Sequence, residues 1–295
     1  MGSVGSSAAA DRTQRENPKL FMESLQVLVV SMGRKDLSLA NKMNFDCSAI
    51  IANQTDRCDY ISERREYGLV EMYSTDTRGV GTNRNIALAA ADAEFILFAD
   101  DDVCYYDGLK RNILKAFSDE PRADVLVFGV DIIRNGRITE RRHYKNKRLH
   151  VWNSMRFGTY AIAARREAIE KNSIIFNTNF GGGCIYGSGE DSLFIKACFD
   201  CGLRVFSSSY VLGTCSKDAS SWFTGCNEKY FFDRGALMGY LFPKMPHLMA
   251  LYFAVNFKKE TDIRCKKRIS LMFAGLRAGK KLIPYSEYLT EESTC

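Results

Sequence analysis

The sequence predicts an α/β protein in which a mostly parallel sheet is flanked by helices on both faces. Apolar runs at 25–31, 48–52 and 95–99 do not alternate with polar residues, as expected for strands buried on both sides. Segments of helical character, at 36–43 and 83–92, lie between these runs. Such alternation favours parallel strands joined by crossover helices.

The remaining elements follow from the same patterns. A third helix is expected where Leu109, Ile113 and Phe117 recur at four-residue intervals, and Asp107 is a suitable N-cap for it. The other predicted elements are strands at 70–73, 125–130, 158–163 and 204–212, a hairpin turn at Asn135-Gly136, and helices at 165–171 and from Glu190 onward. Beyond Gly225 the chain is predicted to be helical, aromatic and finally basic.

The composition is that of a soluble globular protein, with 46% hydrophobic and 26% charged residues among 295. Cys198 and Cys201 are closely spaced, but no second pair and no histidine pattern completes a zinc site. Free thiols without a secretory signal favour a reducing, cytoplasmic setting. The apolar segment 235–257 is interrupted by prolines and is too short to span a bilayer.

Three consecutive aspartates, Asp100, Asp101 and Asp102, directly follow one of the apolar runs. Carboxylates this close repel one another unless a cation compensates them. Their hard oxygen atoms suit Mg²⁺ or Mn²⁺, with a substrate diphosphate completing the coordination. The alternative is an acidic turn that caps the next helix. Because Ser31 and Asn53 end two other strands, we expect them to share one crevice with the aspartates.

The order of three motifs resembles the inverting GT-A glycosyltransferases of family 2. A glycine-containing loop and an Arg-Asn pair, at 79–85, precede the strand that ends in Asp-x-Asp, at 98–102. A glycine loop followed by an acidic pair comes later, at 187–191. The resemblance covers about 25–225 and implies a Rossmann-like nucleotide-diphospho-sugar transferase fold.

The resemblance implies a domain organisation and a set of donor-binding residues. A tail at 1–20 is expected to be disordered and 226–295 to form a basic helical extension. Between them, 21–225 would be the catalytic domain, with the nucleotide sugar bound by 21–130 and the acceptor by 131–225. The donor, most simply a UDP-sugar, is expected to contact Ser31, Asn53, Arg84, Asp100 and Asp101, and Asp102 with Asp100 is expected to bind Mn²⁺ or Mg²⁺.

Residue roles within this site are implied by the same resemblance. Asp191 would be the general base that accepts the proton of the acceptor hydroxyl, and Glu190 would orient the acceptor. The alternative for this pair is favourable negative charge at a helix N-terminus, which is worth about 0.3–1 kcal/mol. Arg84 would add positive charge near the phosphates or contact the base. Its alternative is a surface ion pair with Asp76 or Asp92.

The chain also departs from the family pattern. Asn53 stands where relatives often have an aspartate that reads uracil, which leaves the base open. Many relatives have a histidine ligand after the last core strand, whereas residues 213–216 contain none. The Gln-x-x-Arg-Trp signature of processive synthases is absent, and Ser221, Trp222 and Phe223 lie in that region. Transfer of a single sugar is therefore expected.

The basic segment 258–281 has apolar residues at helical spacing: Ile269, Met272, Phe273 and Leu276. A basic amphipathic helix of this kind suits an anionic membrane surface. The alternative is a helix packed on the domain with a solvated basic face. The first interpretation favours a lipid-linked acceptor, with the arginines of 134–148 near its phosphates. No nucleic-acid-binding motif accompanies the charge.

The resemblance thus implies a metal-dependent, inverting glycosyltransferase of polysaccharide, capsule or glycolipid biosynthesis. Its acceptor would be a hydroxyl of a saccharide or of a lipid-linked saccharide. Two alternatives stay open: a nucleotidyltransferase that activates a sugar phosphate, and a non-catalytic module that binds a nucleotide sugar.

Overall fold

The computed structural model describes residues 24–151, 156–217, 225–257 and 259–293. The predicted disordered tail at 1–20, the segment 221–223 and Lys258 lie outside these ranges. The described residues form one large sheet with helices on both faces, followed by a layer of helices.

The strands are β1 (Leu25–Met32), β2 (Ser48–Gln54), β3 (Asp59–Arg65), β4 (Gly68–Thr75), β5 (Phe95–Asp100), β6 (Val103–Tyr105), β7 (Val125–Arg134), β8 (Arg137–Arg142), β9 (Lys147–Arg148), β10 (Ile162–Arg165) and β11 (Val205–Ser216). The helices are α1 (Leu39–Met43), α2 (Val80–Ala90), α3 (Leu109–Asp119), α4 (Arg166–Lys171), α5 (Glu190–Asp200), α6 (Glu228–Leu241), α7 (Pro246–Val255), α8 (Cys265–Gly279) and α9 (Tyr285–Ser293).

The sheet order is β3-β4-β2-β1-β5-β10-β7-β11-β6, with β8 paired to β7 and β9 to β11. β4, β2, β1 and β5 are mutually parallel, and so are β7 and β11, whereas β10 runs antiparallel between these two groups. Successive residues of β1 face different cores, since Val27 and Val29 lie in one apolar cluster and Leu28 in the other. Burial on both faces explains the unbroken apolar runs, and the predicted fold class is confirmed.

Three strands were missed by the sequence patterns: β3, β6 and the two-residue β9. β3 is polar and mostly exposed because it forms the sheet edge, antiparallel to β4, and its sequence lacks an apolar run. β6 begins directly after the three aspartates and pairs with β11. The acidic segment is therefore a tight turn between two strands.

Three predicted boundaries are wrong for local reasons. Asp107 does not cap α3, because the N-cap is Gly108 and the Asp107 carboxylate instead accepts a hydrogen bond from Asn44 Nδ2 at 3.1 Å. α2 begins at Val80, so the expected glycine loop forms its first turn. A Cβ on Gly81 would lie 2.5 Å from the Asn177 carbonyl oxygen, and glycine allows this contact. The predicted strand 158–163 starts instead at Ile162, after a 3₁₀ turn.

The predicted hairpin between β7 and β8 is confirmed. Asn135 has φ 49° and Gly136 has φ 70°, the left-handed pair that a two-residue hairpin turn requires. The hairpin continues β7 beyond the carboxyl edge of the parallel strands. Its exposed residues include Arg134, Arg137 and Arg141.

The C-terminal helices form a third apolar cluster together with Phe180 and Tyr186 of the loop before α5. α6 and α8 cross closely, because Gly235 and Gly275 each face the backbone of the other helix and leave no room for a Cβ. Met272 and Leu276 of α8 are buried in this cluster, and Ile269 and Phe273 pack against it. The apolar side of the predicted amphipathic helix is thus packed on the domain, as the alternative interpretation expected.

Within the described ranges, no helix combines the length and hydrophobicity needed for a bilayer span. The apolar segment 235–257 is divided between α6 and α7, and Pro246 is the first residue of α7. Its proline-interrupted sequence therefore ends one helix and starts the next.

Candidate active site

The carboxyl ends of the strands open into a cavity of about 900 Å³. Its wall includes the predicted site residues Ser31, Arg84, Asp100, Asp101, Asp102, Glu190 and Asp191, together with residues 182–184 and 187–189 of the glycine-rich loop before α5. The parallel register explains this convergence, since Val29 of β1 pairs with Ala99 and Val30 with Asp100 of β5. Side chains far apart in sequence are thereby brought to one edge of the sheet.

Arg84 links the two acidic motifs. Its guanidinium donates to Asp100 Oδ1 at 2.7 Å and to Glu190 Oε1 at 2.8 Å, and its side chain is only 4% exposed. The alternative surface pairing with Asp76 or Asp92 is wrong. Burial acts against the charged guanidinium, but the carboxylates of Asp100 and Glu190 outweigh burial and raise the pKa of Arg84. Arg84 therefore holds the start of α5 against the end of β5.

Asp101 belongs to a second polar cluster at the cavity wall. Its Oδ2 accepts hydrogen bonds from the Ser31 hydroxyl and from the Arg34 guanidinium, both at 2.6 Å. Arg34 Nε also donates to Ser31 Oγ at 2.8 Å. Arg34, which the sequence patterns did not identify, thus balances the middle aspartate and fixes the end of β1.

Asn53 does not line the cavity but lies fully buried beside it. Its Oδ1 accepts from the Arg34 backbone N–H, while its Nδ2 donates to the Arg34 carbonyl and to Ser74 Oγ, each at 2.9 Å. These bonds use the amide to hold the loop that carries Arg34. The structure therefore gives Asn53 a positioning role and does not offer its amide to a base.

Asp102 is paired with a lysine that follows β11. Lys217 Nζ lies 3.0 Å from Asp102 Oδ2, and Cys215 Sγ lies 3.3 Å from Asp102 Oδ1. Burial and the charge of Asp100 raise the pKa of Asp102 in spite of Lys217. Burial acts against the ammonium, but Asp102 outweighs burial and raises the pKa of Lys217. We infer a charged lysine beside a carboxylate whose negative charge is incompletely balanced.

The side chains that are present do not fit a divalent ion in this arrangement. Each of the three aspartates already has a cationic partner: Arg84, Arg34 or Lys217. Across the described ranges, no three histidine, cysteine or carboxylate side chains converge to hold a metal. The assignment of Asp102 and Asp100 as ligands of Mn²⁺ or Mg²⁺ stays a prediction.

Asp191 lies in the first turn of α5 and faces the same cavity. Gly189, the N-cap of that helix, has φ 124°, a conformation that glycine adopts without strain. Asp191 Oδ1 accepts from the Ser192 backbone N–H at 2.6 Å. Burial, followed by the charge of Glu190, raises the pKa of Asp191 to about 6. Such a carboxylate is ionised at neutral pH and is a stronger base than an exposed aspartate.

α6 supplies the opposite wall, which sequence reasoning missed. Lys229, Tyr230, Asp233 and Arg234 of this helix line the cavity. Asp233 Oδ2 accepts from the Gly187 backbone N–H at 2.8 Å and pairs with Lys229, so it ties the second glycine loop to α6. Arg234 Nε is buried and has no hydrogen-bond partner among the described residues.

The missed residues gave little sequence signal. Lys229 and Arg234 lie in the segment predicted to be an appended basic extension. Lys217 directly follows residues 213–216, the stretch in which many relatives have a histidine ligand. A search for any cation at the end of β11, and not only for a metal ligand, would have found it.

Residues 37–176 match the family described as Glycosyl transferase family 2. The predicted resemblance to family 2 glycosyltransferases is thereby confirmed over this range. The matched range includes β2 to β10, and with it Arg84 and the three aspartates. Three of the predicted site residues, Ser31, Glu190 and Asp191, lie outside the range.

Curated proteins similar to this chain include the poly(ribitol-phosphate) beta-N-acetylglucosaminyltransferase TarS of Staphylococcus aureus, strains Mu50 and MW2. Each is 33% identical over 116 residues, which cover 37% of this chain. The chain spans only 19% of the length of these relatives.

Solved structures similar to this chain include S. aureus TarS 1–349 in complex with UDP-GlcNAc and with UDP. The UDP-GlcNAc complex has a TM-score of 0.54 at 17% identity and covers 86% of this chain and 71% of that chain. The UDP complex has a TM-score of 0.50 at 17% identity, with coverage of 88% and 72%. At this identity the likeness shows the fold, which is GT-A.

Proposed function

We propose that this chain transfers a single sugar from a nucleotide-diphosphate sugar to a hydroxyl of a saccharide or lipid-linked saccharide, with inversion at the anomeric carbon. The observation that carries the proposal is that Asp191, Arg84 and Lys217 line one cavity. Arg34 does not line the cavity itself but pairs with Asp101, which does. A cavity that pairs a base with positive charge suits the displacement of an anionic leaving group.

The reaction follows as a direct displacement. The acceptor oxygen forms a bond to the anomeric carbon, and the bond from that carbon to the β-phosphate oxygen breaks. The electron pair of the broken bond leaves with the nucleoside diphosphate, and the acceptor proton passes to the Asp191 carboxylate. Because the acceptor attacks from the face opposite the leaving group, the anomeric configuration inverts.

Several features of the site support Asp191 as the base. Its raised pKa lowers the cost of accepting a proton as the carbon–oxygen bond forms. Glu190 is held by Arg84, so it balances that cation and is less available to accept a proton. We assign to Glu190 the positioning of Arg84 and of the acceptor side of the cavity.

A UDP-sugar is the proposed donor. The solved TarS structures named above hold UDP-GlcNAc and UDP, and this chain shares their fold. Ser31, near the end of β1, lines the cavity that a nucleotide would occupy, and Arg34 donates a hydrogen bond to its hydroxyl. The predicted dependence on Mn²⁺ or Mg²⁺ is not needed for this proposal, because the aspartates have protein cations as partners.

We also propose contact with an anionic membrane surface, in the context of polysaccharide or glycolipid assembly. The basic side chains of α8 and its C-terminal end are exposed, namely Lys266, Lys267, Arg277, Lys280 and Lys281. The apolar residues of that helix are packed inward, so α7 would provide the inserting groups. Its stripe Leu248, Leu251, Tyr252 and Val255 is 39–62% exposed and follows the spacing i, i+3, i+4, i+7.

The deciding experiment is a transfer assay with a panel of nucleotide sugars and saccharide acceptors, in which the released nucleotide is identified. Release of a nucleoside diphosphate together with glycosylated acceptor is the expected result. Release of inorganic diphosphate from a nucleoside triphosphate would instead identify a nucleotidyltransferase. Donor binding without turnover in any pairing would favour a non-catalytic module.

A further inference from the structure

Lys217 is placed where a cation can act on the donor. Its ammonium lies 3.0 Å from Asp102 Oδ2 and 5.2 Å from the centre of the Tyr160 ring, and its side chain is 30% exposed to the cavity. The backbone N–H of Lys217 donates to the Ile133 carbonyl at 3.0 Å, which extends the pairing of β11 with β7. The main chain is thus fixed while the ammonium reaches the cavity.

The three cations at the strand ends differ in how firmly they are held. Arg84 is bound by two carboxylates and is 4% exposed. Arg34 is bound by both Asp101 and Ser31. Among the described residues Lys217 pairs with one carboxylate, that of Asp102, and its charge is carried on a flexible four-carbon stem. It is therefore the cation that can turn toward a phosphate with the smallest loss of existing contacts.

We propose that Lys217 neutralises the diphosphate of the donor and, by occupying Asp102, competes with any divalent cation for that carboxylate. The proposal rests on the proposed function, in that the donor carries a diphosphate. As the anomeric bond breaks, negative charge develops on the β-phosphate oxygen, and an ammonium donating to that oxygen stabilises the leaving group. Donor binding in this protein would then not require a divalent ion.

Competition for Asp102 gives a readout that needs no catalysis. Manganese chloride alone is titrated calorimetrically into the wild-type protein, Lys217→Met and Lys115→Met. Lys115 is a matched control because it pairs with Asp119 at 3.1 Å on the exposed side of α3. Lys217→Met removes a positive charge that repels Mn²⁺ and occupies Asp102. The affinity of this variant for Mn²⁺ is therefore expected to rise on the order of tenfold or more, since nearby charges act on a bound cation as they act on a bound proton. Lys115→Met should match the wild type.

UDP binding in the presence of a chelator tests the second half of the proposal. The wild type and Lys217→Arg should bind UDP, and Lys217→Met should bind it about 10–100-fold more weakly, the usual worth of a charged hydrogen bond. Thermal unfolding of each variant separates loss of binding from loss of the fold. Addition of Mn²⁺ should restore most of the UDP affinity of Lys217→Met.

The outcomes separate this inference from the proposed function. Equal Mn²⁺ affinities and equal UDP affinities for the wild type and Lys217→Met would overturn the role of Lys217, whatever the transfer assay shows. A wild type that binds UDP only with Mn²⁺ would overturn it as well. A wild type that binds UDP without metal but transfers no sugar would overturn the proposed function and leave Lys217 as a phosphate-binding residue.

Discussion

Asp191→Asn is expected to abolish transfer and, at neutral pH, to stabilise the fold. The amide keeps the shape of the side chain and can still accept from the Ser192 N–H, but it cannot take up the acceptor proton. Loss of a positioned general base costs about 10²–10⁴-fold in rate. The wild-type rate should also fall as pH drops below about 6, where Asp191 becomes protonated.

The size of the stability effect follows from the pKa. Burial and Glu190 raise the pKa of Asp191 to about 6 from its ordinary value of 3.8. At about 1.4 kcal/mol per pKa unit, the ionised form costs the folded state about 3 kcal/mol at pH 7. Because Asp191 is partly exposed to the cavity, solvent screening reduces this to about 1–2 kcal/mol.

The sign of the pH dependence is fixed by linkage. Between pH 3.8 and about 6 the folded state binds more protons at Asp191 than the unfolded state, so wild-type stability falls as pH rises through this window. Asp191→Asn lacks this contribution. The variant should therefore be more stable than the wild type at pH 7, and the gap should shrink as pH falls toward 4.

Urea unfolding of both proteins at pH 7.5, 6 and 4.5 measures the gap directly, and a transfer assay at the same pH values follows the rate. Asp200→Asn is a suitable control because Asp200 is an exposed residue at the other end of α5. A variant that is less stable than the wild type at pH 7.5 would refute the assigned desolvation. A variant with undiminished transfer would remove Asp191 as the base.

The remaining predictions concern three other parts of the molecule. Arg84→Met leaves Asp100 and Glu190 without their shared partner and should lower the free energy of unfolding in urea by about 3 kcal/mol. The control Arg57→Met, at an exposed pair with Asp59, should change this free energy by less than about 1 kcal/mol. Equal effects of the two substitutions would contradict the linking role of Arg84. Asn53→Asp restores the family's usual residue but sets a carboxylate against the Arg34 carbonyl, 2.9 Å from the present amide nitrogen. Asn53→Asp should therefore lower the melting temperature without tightening UDP binding. A higher UDP affinity, measured by calorimetry, would instead indicate that residue 53 contacts the base. Leu248→Ser combined with Tyr252→Ser should reduce flotation with anionic liposomes while leaving transfer to a soluble acceptor intact. Unchanged flotation would exclude α7 as the membrane contact.

The part of the site that consists of short sequence motifs could be predicted from the sequence. The aspartates after an apolar run, the Arg-Asn pair at the start of α2 and the acidic pair opening α5 each occupy a few consecutive residues. Because parallel strands end at one edge, their convergence followed from the fold class alone. The polar edge strand β3 escaped detection because an exposed strand needs no apolar run.

Sequence patterns were enough to predict the fold class, the order of the motifs and all acidic residues of the cavity except Asp233. The tertiary structure decided which cation faces which carboxylate: Lys217 is 115 residues from Asp102, and Arg84 is 106 from Glu190. It also decided that Asn53 holds a loop and that the apolar side of α8 faces inward. Sequence periodicity predicts which face of an element is buried, but it does not predict which residues pack against that face. The packing partners depend on contacts that form only when segments distant in sequence come together.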